Sequence, residues 1–325
     1  NSLLKKYIEE IDESGQTDAM IAGLVSGLGD KYAAYYTEQD YEDMKRKHAG
    51  LTKGIGITVA QDPESGDPMV VSVIEDSPAA EAGVEEGDCI LAVNGADMTG
   101  LDGTEVSEAV QESGDSVTLT ILREGEEKPF ELSMVKAEIE TVAAAGIMLS
   151  DQIGYICIST FNDLTSSQFA EAYAALQEEG IQAMILDLRN NLGGLVTACV
   201  DTGNQILPKG VIVYEKERDK AETHQDSSGE TPIDIPLVVL VNRYTASASE
   251  ILTGAIRDYG IATIVGEQTY GKGVEQKTYN LSDGSAVKLT TTSYYTPNHE
   301  SIDGVGITPD VVVEFTEKDT TDVQL

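Results

Sequence analysis

The 325-residue sequence has no tryptophan, three cysteines and three histidines. Cys89, Cys157 and Cys199 are too few and too scattered for a disulfide framework or a zinc site, so we expect free and buried thiols. The histidines stand in polar stretches, and no two of them have the spacing of a metal-binding pair. The sequence therefore predicts no metal site.

Basic side chains are also scarce, with 21 Lys and Arg against 57 Asp and Glu and a net charge of −36. This balance argues against nucleic acid and against an anionic membrane surface as partners, although it also describes an ordinary solvated acidic surface. No run of 18 apolar residues occurs, which predicts no membrane span. The hydrophobic content of 41% suffices for real cores, and the length suggests about two domains.

The spacing of apolar residues divides the chain into three predicted parts. Residues 1–49 follow the 3.6-residue period of helices, beginning with a helix at residues 3–11. Residues 50–137 change to short strands, turns and two short helices, which indicates a small α+β domain. Residues 138–325 alternate strand and helix, with a strand predicted at residues 153–158 and helices at residues 166–178 and 248–258. This alternation is typical of an α/β core with a mixed, largely parallel sheet. Within this last part, the polar stretch 215–231 predicts a mobile loop or an insertion.

Two short segments indicate chemistry. Ser247 lies among small residues where an apolar strand is followed by a helix, and Lys272 has glycine on both sides. A buried lysine loses hydration, which disfavours its charged form and leaves an amine able to accept the proton of a serine hydroxyl. We interpret Ser247 and Lys272 as a nucleophile and its base. Gln276, four residues further on, is placed to orient the amine.

Simpler interpretations of the same residues remain open at this point. A Ser247 or Ser249 that only caps the following helix explains the first segment. A solvated loop lysine that the many acidic groups keep protonated explains Lys272. A Ser-His-Asp triad fails, because the G-x-S-x-G motif is absent and no histidine has a suitable context. Asp258, on the helix after Ser247, is a lesser candidate that we expect to be exposed.

Residues 187–194 are the third element of the predicted site. An apolar strand runs into a loop with two asparagines and two glycines, at the end of a strand where α/β sheets present their sites. The backbone amide of one of these glycines, together with that of Ala248, is our candidate for an oxyanion hole. A plain strand-to-helix turn explains the same pattern.

The small domain contains the run Gly54, Ile55, Gly56 and Ile57 at the entry to a strand. Backbone amides in such a loop bind a chain-terminal carboxylate, and a strand edge accepts a peptide as an added strand. We expect the two isoleucines to form an apolar pocket for the last side chain of that peptide. Pairs of glycines are common, so the motif by itself is weak.

Taken together, these motifs resemble the carboxyl-terminal processing peptidases, also called tail-specific proteases. The resemblance spans nearly the whole chain and the order of its parts. It is carried by the following residues: 28–32, 77–83, 87–90, 93–95, 187–194, 247–250, 266–267, 271–273, 276 and 303–310. Leu192 stands where the family usually has proline, and Thr245 where it often has serine, but neither departure removes a catalytic atom.

The resemblance implies a ClpP/crotonase-like α/β protease core, an inserted PDZ domain at residues 50–137 and an N-terminal helical segment at residues 1–49. It implies a serine endopeptidase in which Ser247 attacks, Lys272 is the general base and Gln276 orients Lys272, with an acyl-enzyme intermediate. The backbone amides of Gly194 and Ala248 would form its oxyanion hole. No metal or organic cofactor is implied. The partners would be proteins or peptides with free C-termini, and the family also allows a homodimer and a regulatory protein partner.

The resemblance, together with a chain that begins at Asn1 within a helical pattern, implies a location outside the cytoplasm. In a bacterial cell envelope the protein would be membrane-anchored or secreted. Two rival functions remain: a catalytically idle peptide-binding scaffold on the same fold, and an esterase or amidase with the same serine and lysine. Intact Ser247, Lys272 and Gln276 argue against the scaffold, and a peptide-binding domain argues against small esters.

Overall fold

The computed structural model describes residues 13–63, 65–149 and 152–313. The chain forms two compact units, a core unit of Asn1–Gly50 with Val142–Leu325 and a small unit of Leu51–Thr141. Each unit has its own hydrophobic core, as separate domains do. The helix predicted at residues 3–11 lies outside the described residues.

The secondary-structure elements alternate along the chain much as the apolar periodicity predicts. The helices of the described residues are α1 (Glu13–Ser26), α2 (Glu38–His48), α3 (Pro78–Ala82), α4 (Gly103–Glu112), α5 (Thr165–Glu178), α6 (Val196–Ile206) and α7 (Ala248–Tyr259). The strands are β1 (Ala34–Tyr36), β2 (Leu51–Gly54), β3 (Ile57–Gln61), β4 (Pro68–Val73), β5 (Cys89–Val93), β6 (Ala96–Asp97), β7 (Ser116–Leu122), β8 (Phe130–Val135), β9 (Ala137–Glu140), β10 (Ala144–Met148), β11 (Ile153–Ile158), β12 (Ala183–Asp187), β13 (Gly210–Glu217), β14 (Thr223–Ser227), β15 (Leu237–Val241), β16 (Thr263–Gly266), β17 (Val274–Asn280), β18 (Ala286–Tyr295) and β19 (Val311–Val312).

A six-stranded sheet of order β10-β11-β12-β15-β16-β19 forms the centre of the core unit. All its neighbouring strands run parallel except β10, which is antiparallel to β11. Five of the six residues of β11 are buried, which is typical of a parallel strand covered on both faces. Helices α5, α6 and α7 supply buried side chains to the same hydrophobic cluster. The predicted mixed, largely parallel sheet is confirmed.

A second sheet of the core unit is antiparallel and has the order β1-β18-β13-β14, with β17 also paired to β18. The prediction of a mobile loop or insertion at residues 215–231 is wrong, because most of the stretch belongs to the β13–β14 hairpin. Four of the five residues of β14 are exposed. Backbone hydrogen bonds to β13 hold this strand in place. Its side chains therefore need not alternate between polar and apolar, and that alternation is the pattern from which a strand is predicted.

The small unit is built on an antiparallel sheet of order β3-β4-β5-β7-β8, with β6 beside β5. Strands β2 and β9 form a separate antiparallel pair. Helix α3 begins at the N-cap Ser77 with proline in its first turn and ends at Gly83 in the left-handed conformation. Because β3 has one strand neighbour, β4, its other edge is free of strand pairing within the described residues.

Candidate active site

Ser247 stands at the carboxyl end of β15, where the chain turns into α7. Its backbone has φ +58° and ψ −119°, a rare conformation for a residue with a side chain. Such a conformation persists only where neighbouring bonds fix it. Here the Ser247 carbonyl accepts from the amides of Glu250 (2.8 Å) and Ile251 (3.0 Å), and the Ser247 amide donates to the Glu250 carboxylate (2.9 Å). Ser247 as a whole is 7% exposed.

Glu250 is fully buried and joins the two segments of the predicted site. One carboxylate oxygen accepts from the amides of Ser247 (2.9 Å) and Lys272 (2.8 Å). The other accepts from the Gly271 amide (2.7 Å) and the Thr269 hydroxyl (2.6 Å). Four donors to one carboxylate compensate the cost of burying its charge. Glu250 therefore fixes the backbone of the glycine-flanked lysine beside the serine.

The Tyr294 hydroxyl, on β18, provides a second connection between Ser247 and Lys272. It lies 3.0 Å from the Ser247 Oγ and donates to the Lys272 carbonyl oxygen at 2.8 Å. Tyr294 is almost completely buried, and burial raises the pKa of its hydroxyl. Because the single Tyr294 proton is directed to the Lys272 carbonyl, the Ser247 hydroxyl donates its proton to the Tyr294 oxygen.

The Lys272 amine is half-buried and lies over the ring of Tyr32, with Nζ 4.8 Å from the ring centroid. Burial lowers the pKa of Lys272, and the positive charge of Lys288 lowers it further. The carboxylates of Glu250 and Asp30 act in the opposite direction without reversing the shift. Among the described residues, no hydrogen bond joins this amine to Ser247 or to Gln276.

Gln276 lies on β17 next to a β-bulge in its pairing with β18. Its side-chain amide donates to the Thr290 hydroxyl at 3.2 Å. The structure thus brings Ser247 and the Lys272 backbone together through Glu250 and Tyr294. Gln276 lies on the antiparallel sheet that also carries Tyr294. Its side chain donates to Thr290 and not to Lys272.

The predicted loop 187–194 lies directly against Ser247. A Cβ atom on Gly193 would be 2.8 Å from the Ser247 Cβ, so only glycine permits this approach. At Gly194, with φ +146°, a Cβ atom would be 2.0 Å from the Phe161 carbonyl oxygen. Among the described residues, the amides of Gly194 and Ala248 have no hydrogen-bond acceptor, so both are available to a ligand.

The four predicted peptide-binding residues lie at the junction of β2 and β3. Gly54, Ile55 and Gly56 are buried, and Ile57 is half-buried. The Ile55 side chain belongs to the core of the small unit, which Ile57 contacts from its edge. The Ile55 carbonyl accepts a hydrogen bond from the Ala79 amide at 2.8 Å, so the loop is bonded to helix α3.

Asp258, expected to be exposed, is not. Its side chain is 2% exposed, pairs with Arg257 at 2.8 Å and accepts from the Asn298 amide at 2.9 Å. The expectation is wrong because the segment after β18 packs over the end of α7. These contacts give Asp258 a structural role at the helix end.

Sequence reasoning overlooked three residues of this site. Glu250 appears in the sequence as an ordinary first-turn acid of a helix, although its place within the motif around Ser247 was a usable signal. Tyr294 carries no sequence signal, and Tyr32, although it lies within the motif at residues 28–32, has no sequence feature that places it at the site. Both reach the site through tertiary packing from distant parts of the chain. The described residues include no group of three His, Cys, Asp or Glu side chains arranged to hold a metal ion. In residues 13–63, 65–149 and 152–313, no helix combines the length and apolarity that a membrane span needs.

Comparisons with known proteins agree with this architecture. Residues 152–313 match peptidase family S41, and residues 69–123 match the PDZ domain. The carboxyl-terminal-processing protease of Synechocystis sp. is 35% identical over 319 residues, which cover 96% of this chain and 74% of that protein. The chloroplastic carboxyl-terminal-processing peptidase 1 of Arabidopsis thaliana is 35% identical over 313 residues, covering 92% of this chain and 63% of that protein.

Among solved structures, the photosystem II D1 C-terminal processing protease superposes with a TM-score of 0.58 at 28% identity. The match covers 96% of this chain and 86% of that one. The Synechocystis protein is 35% identical and is covered over 74% of its length, which establishes the family of this chain. The chain therefore belongs to the carboxyl-terminal processing proteases of peptidase family S41 and contains a PDZ domain.

Proposed function

We propose that the protein is a serine endopeptidase in which Ser247 is the nucleophile, Lys272 the general base and Gln276 the residue that orients Lys272. One observation carries the proposal: a single oxygen of buried Glu250 accepts from the amides of both Ser247 and Lys272, at 2.9 and 2.8 Å. A shared acceptor holds the backbones of the two residues in a fixed relation, which is what a nucleophile and its base require.

The proposed reaction is acyl transfer. The Ser247 Oγ bonds to the scissile carbonyl carbon while its proton passes to the neutral Lys272 amine. The amides of Gly194 and Ala248 donate to the oxyanion. Collapse breaks the C–N bond, and the Lys272 ammonium returns the proton to the leaving amine. Lys272 then deprotonates a water, which attacks the ester, releases the acid and regenerates Ser247.

Burial supports the role of Lys272 as a base. A base must be partly neutral at working pH, and desolvation lowers the pKa of this lysine from its ordinary value. In the described conformation the Ser247 hydroxyl donates to Tyr294 and the Lys272 amine lies over Tyr32. Catalysis therefore requires that both side chains rotate away from these contacts.

We further propose that the small unit binds the C-terminus of the substrate at Gly54, Ile55, Gly56 and Ile57. The free edge of β3 is a site for an added peptide strand, and the positive φ of Gly56 (+86°) turns the backbone at the entry to that strand. The substrates would be proteins or peptides with a free C-terminal carboxylate, encountered outside the cytoplasm.

The test uses an unstructured protein substrate with an apolar C-terminal tail, analysed by mass spectrometry. We expect wild type to cleave it, Ser247→Ala and Lys272→Ala to be inactive, and Lys277→Ala, an exposed lysine of β17, to retain activity. Amidation of the tail should weaken cleavage by wild type. Cleavage that survives Ser247→Ala would overturn the assignment of the nucleophile. A wild type that turns over small esters but no peptide would indicate an esterase, and inactivity of every form towards both would indicate a scaffold.

A further inference from the structure

Tyr32 lies in the loop between α1 and β1, outside every element that the proposed reaction uses. Its ring contacts two ammonium groups, with the Nζ of Lys31 4.7 Å and that of Lys272 4.8 Å from the ring centroid. Its hydroxyl is buried and has no hydrogen-bond partner among the described residues. An unpartnered buried hydroxyl contributes nothing favourable by itself. Burial raises the pKa of this hydroxyl and the nearby Lys31 and Tyr270 shift it in opposite directions, whereas the part of Tyr32 that contacts Lys272 is the face of its ring.

The loop that carries Tyr32 is fastened to the sheet beside the site. Asp30 accepts from the Tyr32 amide at 2.9 Å and from the Thr290 amide of β18 at 3.3 Å. The hydroxyl of the same Thr290 accepts from the Gln276 side chain at 3.2 Å. Thr290 therefore bonds to two groups. One is the loop that carries the Tyr32 ring, which contacts the Lys272 amine, and the other is the Gln276 amide that is expected to orient the amine.

We propose that Tyr32 is a positioning residue for Lys272: the Tyr32 ring holds the Lys272 amine over its face between turnovers. This inference rests on the proposed role of Lys272. The negative face of an aromatic ring attracts a cation and not a neutral amine. Tyr32 therefore favours the charged form of Lys272 and opposes its release as a free base, while burial favours the neutral form.

The other charged groups that face Lys272 are Lys288 on β18, Glu250 on α7, and Asp30 and Lys31 on the loop of Tyr32. Replacement of Tyr32 by leucine keeps all of them and removes the aromatic face. A cation–π contact of about 0.5–2 kcal/mol corresponds to roughly 0.4–1.5 pH units. Loss of the ring should lower the pH at which Lys272 becomes an active base by that amount.

The experiment measures the second-order rate at which a fluorophosphonate probe labels Ser247, as a function of pH. A small probe reports activation of the serine without involving peptide binding. For Tyr32→Leu we expect the acid limb to move to lower pH by roughly 0.4–1.5 units. Tyr32→Phe keeps the ring and drops only the unpartnered hydroxyl, so its acid limb should coincide with that of wild type. An acid limb that is unmoved in Tyr32→Leu would overturn the proposal, and so would one that moves equally in Tyr32→Phe.

Tyr41→Leu is the matched control, because the Lys45 Nζ lies 4.8 Å from the Tyr41 ring on the exposed helix α2. We expect no change in its acid limb, and a shift equal to that of Tyr32→Leu would also overturn the proposal. Lys272→Met separates a failure of the Tyr32 proposal from a failure of the proposed function. If that variant labels Ser247 with the pH profile of wild type, Lys272 is not the base and the proposed function fails.

A second measurement needs no Tyr32 variant and so does not depend on how such a variant folds. Lysine amines of wild type are methylated with ¹³C and observed by NMR. The methyl signal that disappears in Lys272→Arg should be displaced upfield by the ring current of Tyr32. A Lys272 signal at the position of an exposed lysine would exclude the contact in solution.

Discussion

The hydroxyl of Tyr294 lies 3.0 Å from the Ser247 Oγ and donates to the backbone carbonyl of Lys272. One buried phenol thus contacts the proposed nucleophile and the backbone of the proposed base. Because its proton is committed to the Lys272 carbonyl, it acts on Ser247 as an acceptor. In this conformation the serine proton is directed away from the base.

Tyr294→Phe should lower kcat by about ten- to a hundredfold, because the Lys272 carbonyl loses its donor and the loop around it is less well fixed. KM should change little, since the side chain is buried. We expect unfolding in urea to show a loss of about 1–3 kcal/mol from the unpaired carbonyl. Tyr295→Phe, at the neighbouring half-buried position, is the control. A Tyr294→Phe enzyme with unchanged kcat would show that this hydroxyl does not fix the base.

Glu250→Gln should abolish activity and destabilise the core unit by at least about 3 kcal/mol. A glutamine has one acceptor oxygen, and its amino group would face donors that the carboxylate now satisfies. Whichever way the glutamine amide is oriented, one pair of donors loses its acceptor: Ser247 and Lys272, or Thr269 and Gly271. Urea unfolding and cleavage assays measure the two effects. Glu300→Gln, whose side chain is 61% exposed, should cost about 0–1 kcal/mol, and an equal loss in both variants would contradict the special role of Glu250.

Lys272→Met should be inactive yet melt at a higher temperature than wild type near neutral pH. Burial lowers the pKa of Lys272 in the folded protein, so folding opposes its charged form. Between that lowered pKa and the ordinary value of 10.5 the unfolded chain binds more protons, and wild-type stability therefore rises with pH. The advantage of methionine should be largest below the lowered pKa and shrink as the pH approaches 10.5.

Lys277→Met is the opposite control in the same thermal melts. The hydrogen bond with Glu217 raises the pKa of Lys277, so this exposed lysine stabilises the fold while it is charged. Its replacement should lower the melting temperature slightly, and the loss should vanish as the pH rises through the raised pKa. Identical pH profiles for the two variants would show that burial does not control Lys272.

Gly56→Ala should weaken binding of a labelled peptide with an apolar, free C-terminus by more than about tenfold. At Gly56, with φ +86°, a Cβ atom would be 2.2 Å from the Ser77 Cβ, so the loop must move. Gly95 has nearly the same φ (+81°) and open space around it, so Gly95→Ala carries only the cost of the left-handed backbone. Fluorescence anisotropy of the full chain measures the binding. Equal affinities for the two variants would remove the 54–57 loop from the peptide site.

Local patterns predicted most of the core unit. The predicted strand over residues 153–158 is confirmed as β11, and the helices predicted at 166–178 and 248–258 match α5 and α7 within one residue at each end. Apolar periodicity carries these elements because each buries its own hydrophobic stripe. The β13–β14 hairpin escaped prediction because its second strand is polar and depends on backbone pairing.

The sequence by itself determined which residue types stand at each chain turn: small residues around Ser247, glycines on both sides of Lys272, and glycines at 193 and 194. These requirements are local, since a tight backbone approach excludes a side chain wherever it occurs. Only the tertiary structure decided that Glu250 accepts from the amides of both Ser247 and Lys272, that Tyr294 contacts Ser247 and that the Tyr32 ring lies beside the Lys272 amine. Apart from the local contact between Glu250 and Ser247, these contacts join residues at least 22 positions apart in the chain. Their geometry depends on sheet pairing and burial, which leave no periodic mark on the sequence.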